Sequence, residues 1–163
     1  MELKSSFSRK SFEGGRSKEI SRLIGRSLRA VCNLGIINGY SFTVDCDVLE
    51  ADGGTRTASI NGAWIALNDT FTKMVNENKL VQNPFTCKVG AISVGIVGGE
   101  LVADLDYAKD SNAEVDLNLV LDEKFEILEI QGTAEGKPFS KDSLDSLFNI
   151  AKECVQEIFK IQN

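Results

Sequence analysis

The segment Gly53-Gly54-Thr55-Arg56 has the residue types of an anion-binding turn. It lies between a strand-like segment and a helix-like one, and the backbone N–H groups at a helix N-terminus attract anions. Arg56 in the first turn is unfavourable for the helix dipole unless an anion is present, and a guanidinium can bind a phosphate through two hydrogen bonds. The segment therefore predicts a phosphate site. The alternative is an ordinary glycine-rich turn followed by an arginine.

Five carboxylates lie within thirteen residues further along the chain: Asp104, Asp106, Asp110, Glu114 and Asp116. The period of two in a strand places Glu114 and Asp116 on one face, with Asp110 in the loop before it. Oxygen ligands from a loop and a neighbouring strand suit Mg²⁺, which needs only one or two carboxylates and keeps several waters. We therefore expect a magnesium site. The alternative is the solvated, polar edge of a hairpin.

Composition narrows the chemistry further. The 163 residues include no histidine, which excludes imidazole metal sites, imidazole proton shuttles and the Ser-His-Asp and Cys-His nucleophile pairs. An anion site combined with an acidic metal site favours phosphoryl transfer, because that reaction depends on positioning and charge neutralisation. A generic Mg²⁺-dependent phosphohydrolase remains open on this evidence.

Charge is distributed unevenly. Residues 1–30 contain eight basic and three acidic side chains, a balance of +5, which leaves −11 for the rest of a chain with net charge −6. Such a gradient suits an anionic ligand held beside a cation site, although a solvated helix face explains it equally well.

The cysteines and the N-terminus indicate the compartment. Four cysteines are far apart and have no metal-site spacing, so we expect free thiols that pack as small apolar side chains: Cys32, Cys46, Cys87 and Cys154. The N-terminus has no apolar signal-peptide segment, and no apolar run approaches the roughly 18 residues of a membrane span. We expect a cytoplasmic protein.

The apolar periodicity predicts three helices and five strands, hence an α+β fold with helices packed on a partly antiparallel sheet. The helices are expected from Arg16, from the turn at 51–56 to about residue 76, and from Ser140 to the chain end. The strands are expected over 40–49, 89–97, 100–107, 113–121 and 124–131. Gly98-Gly99 and Asp122-Glu123 are the predicted hairpin turns.

Five segments in order carry a resemblance to a known family. They read GGRSKEISRLIGRSLRAV over 14–31, DCDVLEADGGTRTASINGAWIAL over 45–67, AISVGIVGGELVADLDY over 91–107, DSNAEVDLNLV over 110–120 and IQGTAEGKPFS over 130–140. Together they resemble bacterial ribonuclease PH. The resemblance implies a single ribonuclease PH-like domain (ribosomal protein S5 domain 2-like) over residues 14–163, preceded by an irregular basic lead over 1–13.

The resemblance also implies an activity: phosphate-dependent 3′→5′ exoribonuclease action in tRNA and rRNA processing, releasing nucleoside diphosphates, with nucleotidyl addition as the reverse reaction. The implied partners are tRNA precursors, inorganic phosphate and further copies of the chain in a hexamer, with Mg²⁺ as cofactor. The family motifs assign phosphate binding to Arg16, Gly54, Thr55 and Arg56, metal binding and catalysis to Asp110 and Asp116, and RNA binding to Arg9, Lys10, Arg22 and Arg26.

Length leaves a second hypothesis open. Family members extend about 70 residues further at the N-terminus, so we expect an exposed sheet edge and an exposed apolar face here. The alternative function is therefore a non-catalytic fragment or assembly subunit that keeps the phosphate and RNA surface without turnover.

Overall fold

A computed structural model describes residues 15–162, except the side chain of Arg16, and has an α+β fold. The helices are α1 (Gly15–Ala30), α2 (Thr55–Asn76), α3 (Tyr107–Asp110) and α4 (Lys141–Ile161), and the strands are β1 (Val89–Val97), β2 (Glu100–Ala103), β3 (Val115–Asp122) and β4 (Ile127–Ala134). The strands form one antiparallel sheet in the order β2-β1-β3-β4. The predicted fold class is confirmed, whereas the predicted lead over 1–13 lies outside the described residues.

The sheet is covered by helices on both faces. On one face, α1 and α2 bury a core that includes Leu28, Phe71 and Val120, all fully buried. On the other face, α4 buries a second core that includes Leu119 and Val155. Because side chains alternate along a strand, neighbouring residues of β3 contribute to opposite cores.

Local signals explain two of the elements. Gly98 and Gly99 have φ values of 59° and 80°, so the β1–β2 hairpin has the doubly left-handed turn that its two glycines predict. The α4 helix begins after Ser140, whose hydroxyl accepts a hydrogen bond from the Ser143 N–H at 3.1 Å, as expected of an N-cap.

The predicted strand over residues 40–49 is wrong. Its burial alternates as expected: Phe42, Val44 and Cys46 are half-buried against the α1/α2 core, and Thr43 and Asp45 are exposed. The segment nevertheless forms no strand, apart from a bridge position at Thr43. A strand needs a hydrogen-bonded neighbour, and the four-stranded sheet of the described residues does not extend to this segment. Residues 15–162 therefore contain four strands and not the predicted five.

The second half of the chain departs from the prediction in two further places. The β3–β4 loop covers residues 123–126, instead of a tight turn at Asp122-Glu123, because the Asp122 carboxylate accepts hydrogen bonds from the Lys124 and Glu126 N–H groups at 2.8 Å each. β2 ends at Ala103, and α3 occupies residues predicted to be strand and loop.

Side chains replace a strand along part of β1. β2 pairs only with Val94–Val97, so no strand within residues 15–162 lies beside the earlier residues of β1 on that side. Asn61 of α2 takes this place at Ala91, since its amide donates to the Ala91 carbonyl at 2.9 Å and accepts from the Ala91 N–H at 2.8 Å. Gln162 likewise donates to the Val89 carbonyl at 2.8 Å. These bonds tie α2 and the end of α4 to β1.

The four cysteines are free thiols, as predicted, and each is partly buried. Burial raises the pKa of all four thiols above the ordinary cysteine value. They therefore contribute to packing and are poor nucleophiles at neutral pH. None of the helices in residues 15–162 is long and apolar enough to cross a membrane.

Candidate active site

The turn before α2 presents backbone N–H groups. Gly53 and Gly54 have φ values of 82° and 55°, a left-handed conformation that favours glycine. Gly54 is the N-cap of α2 and has no side chain to cap the helix, and the first turn contains no acidic residue. The Gly54 carbonyl accepts the first bond of the helix, from the Ala58 N–H at 2.9 Å, and a further bond from the Thr57 hydroxyl at 2.8 Å, which leaves the N–H groups of the first turn without an intrahelical partner. The N-terminus of α2 thus has the positive end expected of an anion site.

Arg56 supplies a formal positive charge at the same helix end. Its side chain is half-buried, and it has no hydrogen bond or salt bridge to any residue in the described part of the chain. Its charge is close enough to Asp116 to oppose the rise that burial causes in the pKa of that carboxyl. A guanidinium that has no hydrogen-bond or salt-bridge partner among residues 15–162, beside an uncapped helix N-terminus, suits a bound phosphate.

Asp116 lies near the start of β3, directly across from Gly95 of β1 and Thr133 of β4. The strand alternation places it on the same sheet face as Val120, which packs with α1 and α2. Partial burial is the largest cause that raises its pKa, and the negative charges of Asp110 and Glu135 raise it further, against Arg56. The fold thus brings Asp110 and Arg56 each within electrostatic reach of Asp116.

Asp110 reaches the site from a helix instead of the predicted loop. It is the last residue of α3, and its N–H donates to the Asp106 carbonyl at 2.8 Å. The Asp106 side chain caps α3, accepting from the Lys109 N–H at 2.8 Å and pairing with the Lys109 ammonium at 2.6 Å. The pKa of Asp106 is lowered, mainly by the hydrogen bond from that ammonium.

Four of the five clustered carboxylates therefore divide into separate roles. Asp106 is used to cap α3. Glu114 lies just before β3, and its carboxylate accepts from the Gly99 N–H of the hairpin turn at 3.0 Å. Asp110 and Asp116 remain together beside Arg56.

Asp110 and Asp116 could supply two oxygen ligands to a magnesium ion that keeps most of its water. Their like charges raise the pKa of Asp116, and a divalent cation would relieve this repulsion. Within residues 15–162, no group of three or more Asp, Glu, Cys or His side chains is arranged to hold a metal ion. Two carboxylates, water and substrate oxygens are sufficient for Mg²⁺, whereas a site built from protein ligands alone is not available in that range.

The other predicted residues have different positions. Arg26 forms a two-point ion pair with Glu129 of β4, at 2.7 and 3.1 Å, and this contact raises the pKa of Arg26. Arg22 is exposed on α1. The Arg16 backbone lies in the first turn of α1, but its side chain is outside the described part, as are Arg9 and Lys10.

Two polar residues at the site, Asp52 and Ser93, were not predicted, and Asp104 was named only as a member of the acidic segment. Asp52 and Ser93 contact the segment that leads into α3, and the Asp104 carboxylate lies about 3.6 Å from where a Cβ on Gly54 would stand. Ser93 is the one of these residues that the sequence could have indicated, because it is a lone hydroxyl in an apolar strand. The left-handed backbone of Asp104, with φ of 55°, has no sequence signature.

Comparison with known protein families gives two matches. The model described as "3′ exoribonuclease family, domain 1" matches residues 2–72, and "3′ exoribonuclease family, domain 2" matches residues 87–154. The two ranges together cover most of the chain and include all the residues of the site.

Several solved structures share the fold. Rrp46 from rice (Oryza sativa) has a TM-score of 0.75 and 18% identity, over 94% of this chain and 67% of that one. An Archaeoglobus fulgidus exosome with RNA bound to its active site gives 0.76 and 18%, over 99% and 68%. An archaeal exosome core gives 0.71 and 20%, over 90% and 63%. The chain thus spans about two thirds of each, and identities this low show a common fold alone.

Proposed function

Because the chain belongs to the 3′ exoribonuclease family, we propose that it degrades RNA from the 3′ end by phosphorolysis, releasing nucleoside diphosphates. The observation that carries the proposal is the convergence of three separate segments: the uncapped N-terminus of α2 with Arg56, the end of α3 with Asp110, and β3 with Asp116. A phosphate site beside two carboxylates is what the reaction requires.

Orthophosphate is the attacking group in this proposal. The Arg56 guanidinium and the backbone amides of Gly54 and Thr55 hold its oxygens, and Arg16 is proposed as a second cationic ligand. The low dielectric of a half-buried site strengthens these contacts. One phosphate oxygen then has a fixed direction of attack on the terminal phosphodiester of the RNA.

The bond changes are a simple exchange at phosphorus. A bond forms between the phosphate oxygen and the terminal phosphorus, and the bond from that phosphorus to the preceding 3′ oxygen breaks. The departing 3′ oxygen receives a proton, and Asp110 or Asp116 is proposed to manage its transfer. The raised pKa of Asp116 suits such a role, because it brings the carboxyl closer to neutral pH. When bound to these carboxylates, Mg²⁺ would offset negative charge in the transition state.

Precursor tRNAs are the proposed natural substrates, as they would be for a ribonuclease PH, and a hexameric ring is the proposed assembly. Arg22, exposed on α1, is available to contact the RNA backbone together with Arg9 and Lys10. Arg26 would have to give up its Glu129 partner to do so, which makes it the weakest RNA ligand of the four.

The test uses a short RNA with an unstructured 3′ tail and Mg²⁺, incubated with and without orthophosphate, and the released nucleotides are resolved by ion-exchange chromatography. We expect nucleoside diphosphates only when phosphate is present. Arg56→Ala should lower the rate by about a hundredfold or more, since it removes the phosphate's charged ligand. Lys73→Ala, at the exposed far end of the same helix, is the matched control and should have no effect.

Two other results would replace this proposal. Nucleoside monophosphates released without phosphate would indicate a hydrolase. No release at all, from protein whose circular dichroism shows that it is folded, would favour the non-catalytic subunit. A precursor tRNA with a 3′ trailer, compared with the unstructured RNA, tests the proposed substrate preference.

A further inference from the structure

The two halves of the site come from distant parts of the chain, and one side chain joins them. Arg56 follows the glycine turn, while Asp110 lies more than fifty residues later at the end of α3. We propose that Asp52 is a positioning residue that sets Asp110 at its working distance from the phosphate turn. This inference rests on the proposed phosphorolysis.

The contact is a hydrogen bond between a side chain and a helix end. The Asp52 carboxylate accepts from the N–H of Tyr107, the first residue of α3, at 3.2 Å. From there α3 is a single turn with internal bonds, including that from the Asp110 N–H to the Asp106 carbonyl. Because α3 is so short, holding its first residue also holds Asp110, its last.

The turn and the segment entering α3 are also in close backbone contact. A Cβ built on Gly53 would overlap the Leu105 carbonyl and would lie only 2.9 Å from the Asp106 Cα. A side chain would therefore not fit at position 53, where the two backbones meet. Leu105, on the other side of this contact, is 1% exposed. This packing limits how far the two segments can slide past each other. At the exposed end of the contact, the hydrogen bond from the Tyr107 N–H to Asp52 restricts the movement that remains.

Ser93 attaches the segment entering α3 to the sheet. Its hydroxyl accepts from the Leu105 N–H at 3.1 Å, and its carbonyl accepts from the Asp104 N–H at 2.8 Å. Ser93 is itself 3% exposed and lies in β1, so residues 104–105 are attached to the sheet. With one side anchored by Ser93, Asp52 is left to determine the position of α3 relative to α2.

The test compares Asp52→Ala with Asp52→Asn, because both remove the charge and only Asn keeps an oxygen that can accept the Tyr107 N–H. We expect Asp52→Ala to lower kcat for phosphorolysis by about tenfold, as a small displacement of a catalytic group does, with KM for phosphate within about twofold. Asp52→Asn should restore kcat to within about threefold of the wild type. Asp69→Ala, an exposed aspartate of α2, is the control.

Amide hydrogen exchange at Tyr107 gives a second readout, which should quicken in Asp52→Ala and stay slow in Asp52→Asn. Equal kcat for the wild type and Asp52→Ala would overturn the inference while leaving the proposed function intact. Equal losses in both variants would also overturn it, because charge and not the hydrogen bond would then be the cause. An inactive wild-type protein would overturn the proposed function and this inference together.

Discussion

Asp116 lies half-buried on β3, where burial and the neighbouring carboxylates Asp110 and Glu135 raise its pKa despite the nearby charge of Arg56. An acid whose pKa is raised by folding binds its proton more tightly in the folded state than in the unfolded chain. Stability therefore falls as the pH rises from the ordinary Asp pKa, about 3.9, through the higher folded value, and it stays lower above that value. The ionised carboxylate thus destabilises the fold at neutral pH.

Asp116→Asn should accordingly raise the free energy of unfolding at pH 7, because it removes an unfavourably buried charge. The gain should shrink as the pH falls and be smallest below about pH 3.9, where both states are protonated in the parent. Phosphorolysis should fall by about a hundredfold or more in the same variant. Urea unfolding at several pH values and nucleotide release measure the two effects. Asp69→Asn is the exposed control, and lower stability of Asp116→Asn at pH 7 would contradict this account.

Sequence reasoning identified the site residues that have a local pattern. Gly54, Thr55 and Arg56 are adjacent, and Asp110 and Asp116 belong to one acidic segment. The structure brings Arg56 and the two aspartates together, although their assigned roles stay predictions. Asp52 and Ser93 were not found, because their partners Tyr107 and Leu105 are distant in sequence and no local pattern indicates that contact.

At the scale of elements, the position of α2 depends on its link to β1. The Asn61 side chain makes both hydrogen bonds that a neighbouring strand would make at Ala91, and Ala91 is fully buried. Asn61 lies five residues after Arg56 on the same helix, so this contact also helps to fix the phosphate turn over the sheet.

Asn61→Ala should lower the stability by about 2–6 kcal/mol, since it leaves the buried N–H and carbonyl of Ala91 without partners at about 1–3 kcal/mol each. Asn61→Asp should also be destabilising, because a carboxylate can accept from the N–H but repels the carbonyl. Urea unfolding is the measurement. Asn149→Ala, on an exposed position of α4, should change the stability little. An Asn61→Ala protein as stable as this control would contradict the prediction, because water would then be bonding to the Ala91 backbone in place of the lost amide.

Two segments show when apolar periodicity in the sequence is sufficient to predict a strand and when it is not. Within residues 40–49, Phe42, Val44 and Cys46 alternate in burial with Thr43 and Asp45, but Val48 is exposed. The segment lacks the hydrogen bonds of a strand, because these depend on a neighbouring strand that the pattern does not contain. The β1–β2 hairpin was predicted correctly, because its neighbour is joined to it by the Gly98-Gly99 turn.

For the whole molecule, the two cores share one sheet. β1 contributes Val89 and Ala91 to the α1/α2 core and Ile92 and Val94 to the α4 core. Neither core can lose its sheet face without exposing the other, so the layers should unfold together.

We therefore expect a single unfolding transition. Trp64, the one tryptophan of the chain, lies in the α1/α2 core, so its fluorescence reports on that side, whereas far-UV circular dichroism reports on all the helices. The two signals should give the same midpoint and the same slope in urea. A fluorescence transition at lower urea than the dichroism transition would show instead that the α1/α2 layer separates from the rest.

The side chains that bond to β1 also make the two borders of the sheet unequal. Backbone groups of Val89 and Ala91 are occupied by Gln162 and Asn61, and another polypeptide could pair there only by displacing them. β4 has just β3 beside it within the described residues, and Ile127 and Ile130 on it are 52% and 44% exposed. Within the described residues, a strand added in an assembly or in aggregation would therefore have to displace side chains at Val89–Ala91, whereas along β4 it would meet an edge with exposed apolar residues.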